Sequence, residues 1–309
     1  MGSYLNPGNF SFKGSLRSKI YVDKSKLIAK TNEVLCTEQK YICVSRPRRF
    51  GKSMAANMLA AYYARSENTE ELFQNLVISK DVSYKENLNQ YDVIKINMQE
   101  FLSMAGTMED MLGMLKNYLI SDFAETYPEV RFRDEKNLIQ VMKDVFSYTR
   151  CPFVILIDEW DCLFREYKQD KEAQKKYLDF LRVWLKDKDY VAMASHSALN
   201  MFTEYSMTDP GDFAEYFGFT EQEVLELCEK YEMSFEEAKI WYDGYQLVVH
   251  RKEKDECYSM YSPKSVVEAM LRGKFSNYWT QTETYEALKI YIQSNEFGVQ
   301  DVILKLLAG

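Results

Sequence analysis

Four short apolar runs punctuate the first two-thirds of the chain, separated by longer stretches with helical spacing. Residues 41–45 (YICVS) form an apolar, β-branched run of strand length. Residues 91–98 (YDVIKINM) alternate and read as a second strand. Residues 153–159 (FVILIDE) are the most hydrophobic run and lack a polar face, as expected of a strand covered on both sides. Residues 190–194 (YVAMA) supply a fourth. Between them, residues 52–65 are rich in Ala, Met and Leu, which favour helix. Residues 108–127 and 137–149 have helical spacing, and 171–188 are amphipathic. Asp23 reads as the N-cap of an earlier helix. Strands alternating with helices predict an α/β fold, a parallel sheet with crossover helices.

The pattern changes near residue 205. Thr220 with Glu223, and Ser234 with Glu237, have capping-box spacing, so each predicts a helix start. The segments WYDGYQL (241–247) and ECYSMYSPKSV (256–266) read as aromatic turns, with helix-like stretches running on to the C-terminus. The expected division is an α/β core over 1–205 and a mainly helical, lid-like domain over 206–309. No internal repeat is visible.

Composition narrows the function classes. Hydrophobic residues at 46% and charged residues at 28% mark a chain that can bury a core, not a disordered one. A net charge of -8 counts against a protein that coats nucleic acid. The six cysteines form no C-x-x-C pair, and the N-terminus lacks a cationic region followed by an apolar core. Reduced, buried thiols in a cytoplasmic protein are therefore expected. Two histidines, His196 and His250, are too few and too far apart for a histidine metal site or a histidine-activated nucleophile. No apolar run is long enough to span a bilayer.

Against that background, residues 44–54 (VSRPRRFGKSM) stand out. They end like a phosphate-binding loop, G-x-x-x-x-G-K-[ST], but Arg46 stands where the first glycine belongs. The stretch follows a predicted strand and opens a predicted helix, so its backbone N–H groups and helix dipole would face an anion. The candidate nucleotide contacts are Arg46, Pro47, Arg48, Arg49, Phe50, Gly51, Lys52, Ser53 and Met54. Lys52 would reach the β- and γ-phosphates and Ser53 would place its hydroxyl on Mg²⁺, while Gly51 lets the backbone approach. A basic turn that merely begins a helix is the alternative.

A second motif bears on that choice. VILIDEWD (154–161) is an apolar strand ending in Asp158 and Glu159, expected to lie beside the loop's strand. Asp158 would hold the Mg²⁺ shell and Glu159 would polarise the attacking water. Two solvated acids ending a buried strand are the plainer alternative. One of Arg46, Arg48 and Arg49 is a candidate partner for Asp158, Glu159 or Asp161. Trp160 is expected to pack against the helix after the loop. The run RPRR (46–49) also admits nucleic-acid binding, but phosphate coordination is simpler and the acidic total argues the other way.

With both motifs in order, the chain resembles the bacterial AAA-ATPase-like proteins. In these a P-loop ATPase commonly precedes a nuclease-like domain of the PD-(D/E)XK superfamily. The likeness runs through YVDKS (21–25), residues 41–63, VILIDEWD, HSALNMFTEYSM (196–207), YFGFTEQEV (216–224), WYDGY (241–245), YSPKSV (261–266) and NYWTQT (277–282). Arg46 in place of the first glycine is typical of that family. The resemblance implies ATP and Mg²⁺ as cofactors, with Lys52 and Ser53 as phosphate and Mg²⁺ contacts and Asp158 with Glu159 as the acidic pair. As partners it implies a nuclease-like domain or another protein, and it allows a homo-oligomer. The chain departs from the family twice. Ala194-Ser195-His196 passes almost directly into HSALN where the family carries a longer turn with a γ-phosphate sensor; Ser195 is the substitute at hand. No nuclease motif is found over 280–309. The expected function is Mg²⁺-dependent ATP binding with hydrolysis driving a conformational switch. The alternative is a nucleotide-binding interaction module that does not hydrolyse.

Overall fold

The computed structural model describes residues 2–195 and 202–278. By its contacts the chain divides into two units: residues 1–46 with 52–216, and residues 47–51 with the chain after 216.

The first unit is built on five strands, β1 (Tyr41–Val44), β2 (Asp92–Asn97), β3 (Phe153–Asp158), β4 (Val191–Ser195) and β5 (Thr203–Tyr205). All neighbours run parallel, in the order β2-β3-β4-β1-β5. Two helices, α1 (Phe10–Leu16) and α2 (Lys26–Val34), precede the sheet. Parallel pairing requires crossovers, and helices supply them. From β1 to β2 run α3 (Lys52–Tyr63), α4 (Glu70–Phe73) and α5 (Tyr84–Asn87). From β2 to β3 run α6 (Met98–Met104), α7 (Met108–Thr126) and α8 (Leu138–Thr149). From β3 to β4 run α9 (Cys162–Glu166) and α10 (Lys171–Leu185).

Alternation along β3 explains the layers. Phe153, Ile155 and Ile157 join a core with Leu115 and Leu119 of α7, Val141 and Val145 of α8, and Leu181 and Trp184 of α10. Val154 and Leu156 are equally buried and project to the opposite face. On that face α3 packs on β2 and β3. The uniformly apolar run of β3 is thus a strand covered twice. The exposed edge of β2 is closed differently: Leu5 forms an antiparallel bridge to Ile94, so the N-terminal segment takes the place of a sixth strand.

The second unit differs from its expectation. A three-stranded antiparallel sheet, β6 (Phe219–Thr220), β8 (Glu256–Tyr261) and β7 (Asp243–Val249) in that order, accompanies three helices. These are α11 (Glu221–Lys230), α12 (Phe235–Tyr242) and α13 (Pro263–Arg272). The aromatic segments that read as turns are β7 and β8. Leu247 and Val249 face inward while their neighbours are more exposed, an alternation that the Gly and Tyr at the start of β7 conceal. Thr220 forms the full capping box with Glu223. Ser234 accepts from the Glu237 N–H at 3.2 Å.

Three smaller expectations also change. Ser25, not Asp23, sits at the N-cap of α2. Asp23 instead accepts the Ser25 N–H at 2.8 Å and the Val77 N–H at 2.7 Å, a turn that ties two segments together. Of the six free cysteines, Cys36 and Cys257 are exposed and four are buried. The acidic strand β3 does not lie beside β1, because β4 is inserted between them. Among the described residues no helix is long and apolar enough to cross a membrane.

Candidate functional site

In a parallel sheet the strands all end at one edge, and the candidate residues gather there. β1 ends at Val44, and α3 begins at Lys52. The first N–H groups of a twelve-residue helix have no partner within it and carry the positive end of its dipole. Ser53, in that first turn, donates its hydroxyl to Asp158 Oδ2 at 2.5 Å. The two motifs therefore meet, although β4 separates their strands.

Lys52 donates from Nζ to the Arg46 carbonyl oxygen at 2.5 Å. Burial lowers the pKa of this ammonium, and the charges of Glu159, Asp161 and Asp158 oppose that shift. Arg46 turns away from the acids. Its Nη1 donates to the carbonyls of Ser45 (3.2 Å), Tyr205 (2.9 Å) and Ser206 (2.5 Å). The side chain is buried, which pushes its pKa down to about 10.

The loop's middle belongs to the second unit. Arg49 and Gly51 both have positive φ, +68° and +90°, so the turn into α3 is left-handed at two points and favours the glycine at 51. Phe50 is buried, packs edge-on to Tyr245 with ring centroids 5.1 Å apart, and accepts the Gly218 N–H at 3.0 Å. A Cβ on Gly218, itself at φ +95°, would lie 3.0 Å from the Phe50 ring. Arg48, Arg49 and Met54 are exposed, and Pro47 is half-buried.

At the end of β3, Glu159 has φ +49°, an uncommon conformation for a residue with a side chain. Its carboxylate meets Arg165 Nη2 at 2.6 Å, and the same guanidinium meets Asp161 at 2.6 Å. Gln99 accepts a further N–H from Arg165 at 3.3 Å. The arginine partner of Glu159 and Asp161 is thus Arg165; Arg46, one of the three loop candidates, turns to carbonyls instead. The position of Arg165, four residues after Asp161 and so one helical turn on, was the available signal. Trp160, in the turn before α9, packs a tilted ring against Phe164 of that helix, with centroids 5.4 Å apart.

Ser195 closes β4 and pairs with Leu156 of β3 and Ile42 of β1. Asp158 is two residues beyond Leu156, so Ser195 stops short of the level of the acidic pair. His196 and the segment following it lie outside the described residues, as do 279–309. Among the described residues, no group of three or more His, Cys, Asp or Glu side chains could hold a metal ion.

No solved structure matches this chain. An uncharacterised protein from the vnfD 5′ region of Azotobacter chroococcum mcd 1 is 22% identical over 285 residues, which is 85% of this chain and 51% of that protein. The chain therefore spans about half the length of this curated relative. The family model described as a predicted AAA-ATPase matches residues 11–202, a span that holds the loop, the acidic strand and the first four strands of the sheet. The chain belongs to this AAA-ATPase-like family.

Proposed function

We propose that this protein binds ATP with Mg²⁺ at the loop over 46–54 and hydrolyses it, with the five-stranded sheet acting as a P-loop ATPase core. The observation that carries the reading is the 2.5 Å contact from Ser53 to Asp158. It pairs the hydroxyl and the carboxylate that the chemistry needs, from motifs on separated strands. Both are hard oxygen donors, which suits Mg²⁺, an ion that takes one or two protein ligands and completes its octahedron with phosphate and water. When bound, such an ion neutralises charge on the phosphates.

The remaining roles fall to neighbouring side chains. The ammonium of Lys52 is placed to donate to phosphate oxygens, a charge-assisted contact. Glu159 is the candidate base that accepts a proton as a water attacks the terminal phosphorus and ADP leaves. Arg165 fixes its carboxylate at one oxygen. Loop residues 47–51 group with the chain after 216, whereas Arg46 and Lys52 on either side group with the sheet. In this reading hydrolysis drives a conformational switch.

Isothermal calorimetry and phosphate release test the proposal together. Lys52→Ala is expected to abolish ATP binding, and Glu159→Gln to keep binding while losing turnover. Unchanged affinity in Lys52→Ala overturns the site. Phosphate release by Glu159→Gln at the parent rate removes Glu159 as base. Tight binding without any release by the parent leaves a nucleotide-binding module without hydrolysis.

A further inference from the structure

We infer that Arg46 is a positioning residue for Lys52, so that restoring the missing glycine of the common loop pattern would weaken the site. The inference rests on the nucleotide-binding reading above and extends it to the residue that departs from the pattern.

A glycine at position 46 would leave the start of the loop held by backbone alone. Here the Ser45 N–H donates to the Tyr205 carbonyl at 3.1 Å, carrying the β1–β5 ladder one step past the strand end. The Arg46 guanidinium then reaches the same carbonyl at 2.9 Å and the next one, of Ser206, at 2.5 Å. Residues 45 and 46 are thus tied to β5 and the residue after it, Ser45 through its backbone and Arg46 through its side chain. The carbonyl of the anchored Arg46 receives Lys52 Nζ. A continuous set of contacts runs from the edge strand through Arg46 to the ammonium.

The energetic character of Arg46 points the same way. The residue is 5% exposed, and its three acceptors are carbonyls rather than carboxylates. Its Nε and Nη2 are buried with no hydrogen-bond partner among the described residues. A buried cation without a carboxylate, with donors unmade, is a poor way to gain stability. It can still fix a backbone, because Nη1 shares its two N–H groups among three carbonyls on a planar, buried group with little freedom to turn. A group positioned for reaction needs that precision, since a displacement of about 1 Å can cost on the order of 100-fold in rate.

The test compares the parent, Arg46→Gly, Arg46→Lys and Lys52→Ala. It measures Mg-ATP affinity, melting temperature and the rate at which an amine-acylating reagent labels Lys52 relative to Lys95. Arg46→Gly is expected to lose about tenfold or more in affinity, in the range a misplaced group produces. Its melting temperature should stay within a few degrees of the parent, and Lys52 should label several-fold faster while Lys95 is unchanged. Arg46→Lys keeps the charge on a shorter side chain without the planar guanidinium and should fall between, which decides the matter if the glycine variant does not fold. Affinity equal to or better than the parent, with unchanged Lys52 labelling, overturns the inference. If Lys52→Ala binds as well as the parent, the nucleotide reading fails instead, and the labelling comparison still decides whether Arg46 positions Lys52.

Discussion

Asp92→Asn separates the scaffold from the site. Asp92 begins β2 and is fully buried. Its Oδ1 accepts from Arg65 Nε at 3.0 Å and from Asn6 Nδ2 at 2.7 Å. Its Oδ2 accepts from Arg65 Nη2 at 2.8 Å and from the Tyr127 hydroxyl at 2.6 Å. Every neighbour donates, so only an acceptor on both atoms satisfies them. An asparagine has the right shape but turns one acceptor into a donor: at the Oδ1 position its amide strands Arg65 Nε and Asn6 Nδ2, and at Oδ2 it faces Arg65 Nη2 and forces the Tyr127 hydroxyl to turn and accept. Removing one member of a buried ion pair costs about 3–5 kcal/mol. The Arg65 side chain is 33% exposed and keeps some water, so the low end, about 3 kcal/mol, applies. For a unit of this size each kcal/mol lowers the melting temperature by about 2–4 °C, which gives a fall of about 6–12 °C.

The same network holds the N-terminal segment. Asn6 also accepts the Val93 N–H at 2.8 Å, next to the bridge from Leu5 that covers the edge of β2. The site, however, lies at the other end. Asn97 pairs with Asp158, and the strand between Asp92 and Asn97 is about 17 Å long at the usual rise. Thermal unfolding by circular dichroism should therefore show the drop, while Mg-ATP affinity measured below the transition stays at the parent value. A melting temperature within about 2 °C of the parent refutes the network's assigned weight. Lost affinity in the folded variant refutes the separation of scaffold from site.

Two further outcomes follow from the site's charges. Lys52, its pKa lowered chiefly by burial, should lose its proton below the ordinary lysine value of 10.5, so Mg-ATP affinity falls at alkaline pH within that window. The unfolded chain holds that proton up to 10.5, so the lysine's unfavourable contribution to stability fades as pH rises through the folded value. Lys52→Arg, which stays charged, should flatten the affinity profile; a parent profile that stays flat through the ordinary lysine value of 10.5 contradicts the assignment. Arg165→Ala frees the Glu159 carboxylate on its left-handed backbone, so phosphate release should fall about 10–100-fold with affinity within threefold of the parent. Turnover at the parent rate would assign Arg165 to packing alone.

What the sequence disclosed, and what it hid, divides along physical lines. The apolar runs at 41–45, 91–98, 153–159 and 190–194 are strands because β-branched and apolar residues fit a sheet covered on both faces, and a signal of that kind is local. β5 escaped notice because Thr203–Tyr205 is three residues of mixed polarity at an edge. β7 escaped because Asp243 and Gly244 at its start imitate turn chemistry, while only Leu247 and Val249 further along are buried. β8 escaped because its first residues are exposed and only its last two, Met260 and Tyr261, are buried before Ser262-Pro263. The insertion of β4 between β1 and β3 had no local signal at all, since strand order is set by how crossovers pack and not by any one residue.

The site divides in the same way. Gly51, Lys52, Ser53, Asp158 and Glu159 stand in recognisable spacing because the proposed chemistry would fix the residue type at each position. Arg46 could be read only as a departure, because its partners are carbonyls at 205 and 206, atoms that every residue possesses. Lys52 likewise is held by a backbone oxygen. A loop pattern records which side chains must face the phosphates, yet the accuracy of their placement depends here on backbone acceptors from an edge strand distant in sequence. An arginine in place of glycine is therefore compatible with an intact phosphate grip: it exchanges a flexible start of the loop for one anchored to β5, and the glycine that served flexibility elsewhere would remove the anchor here.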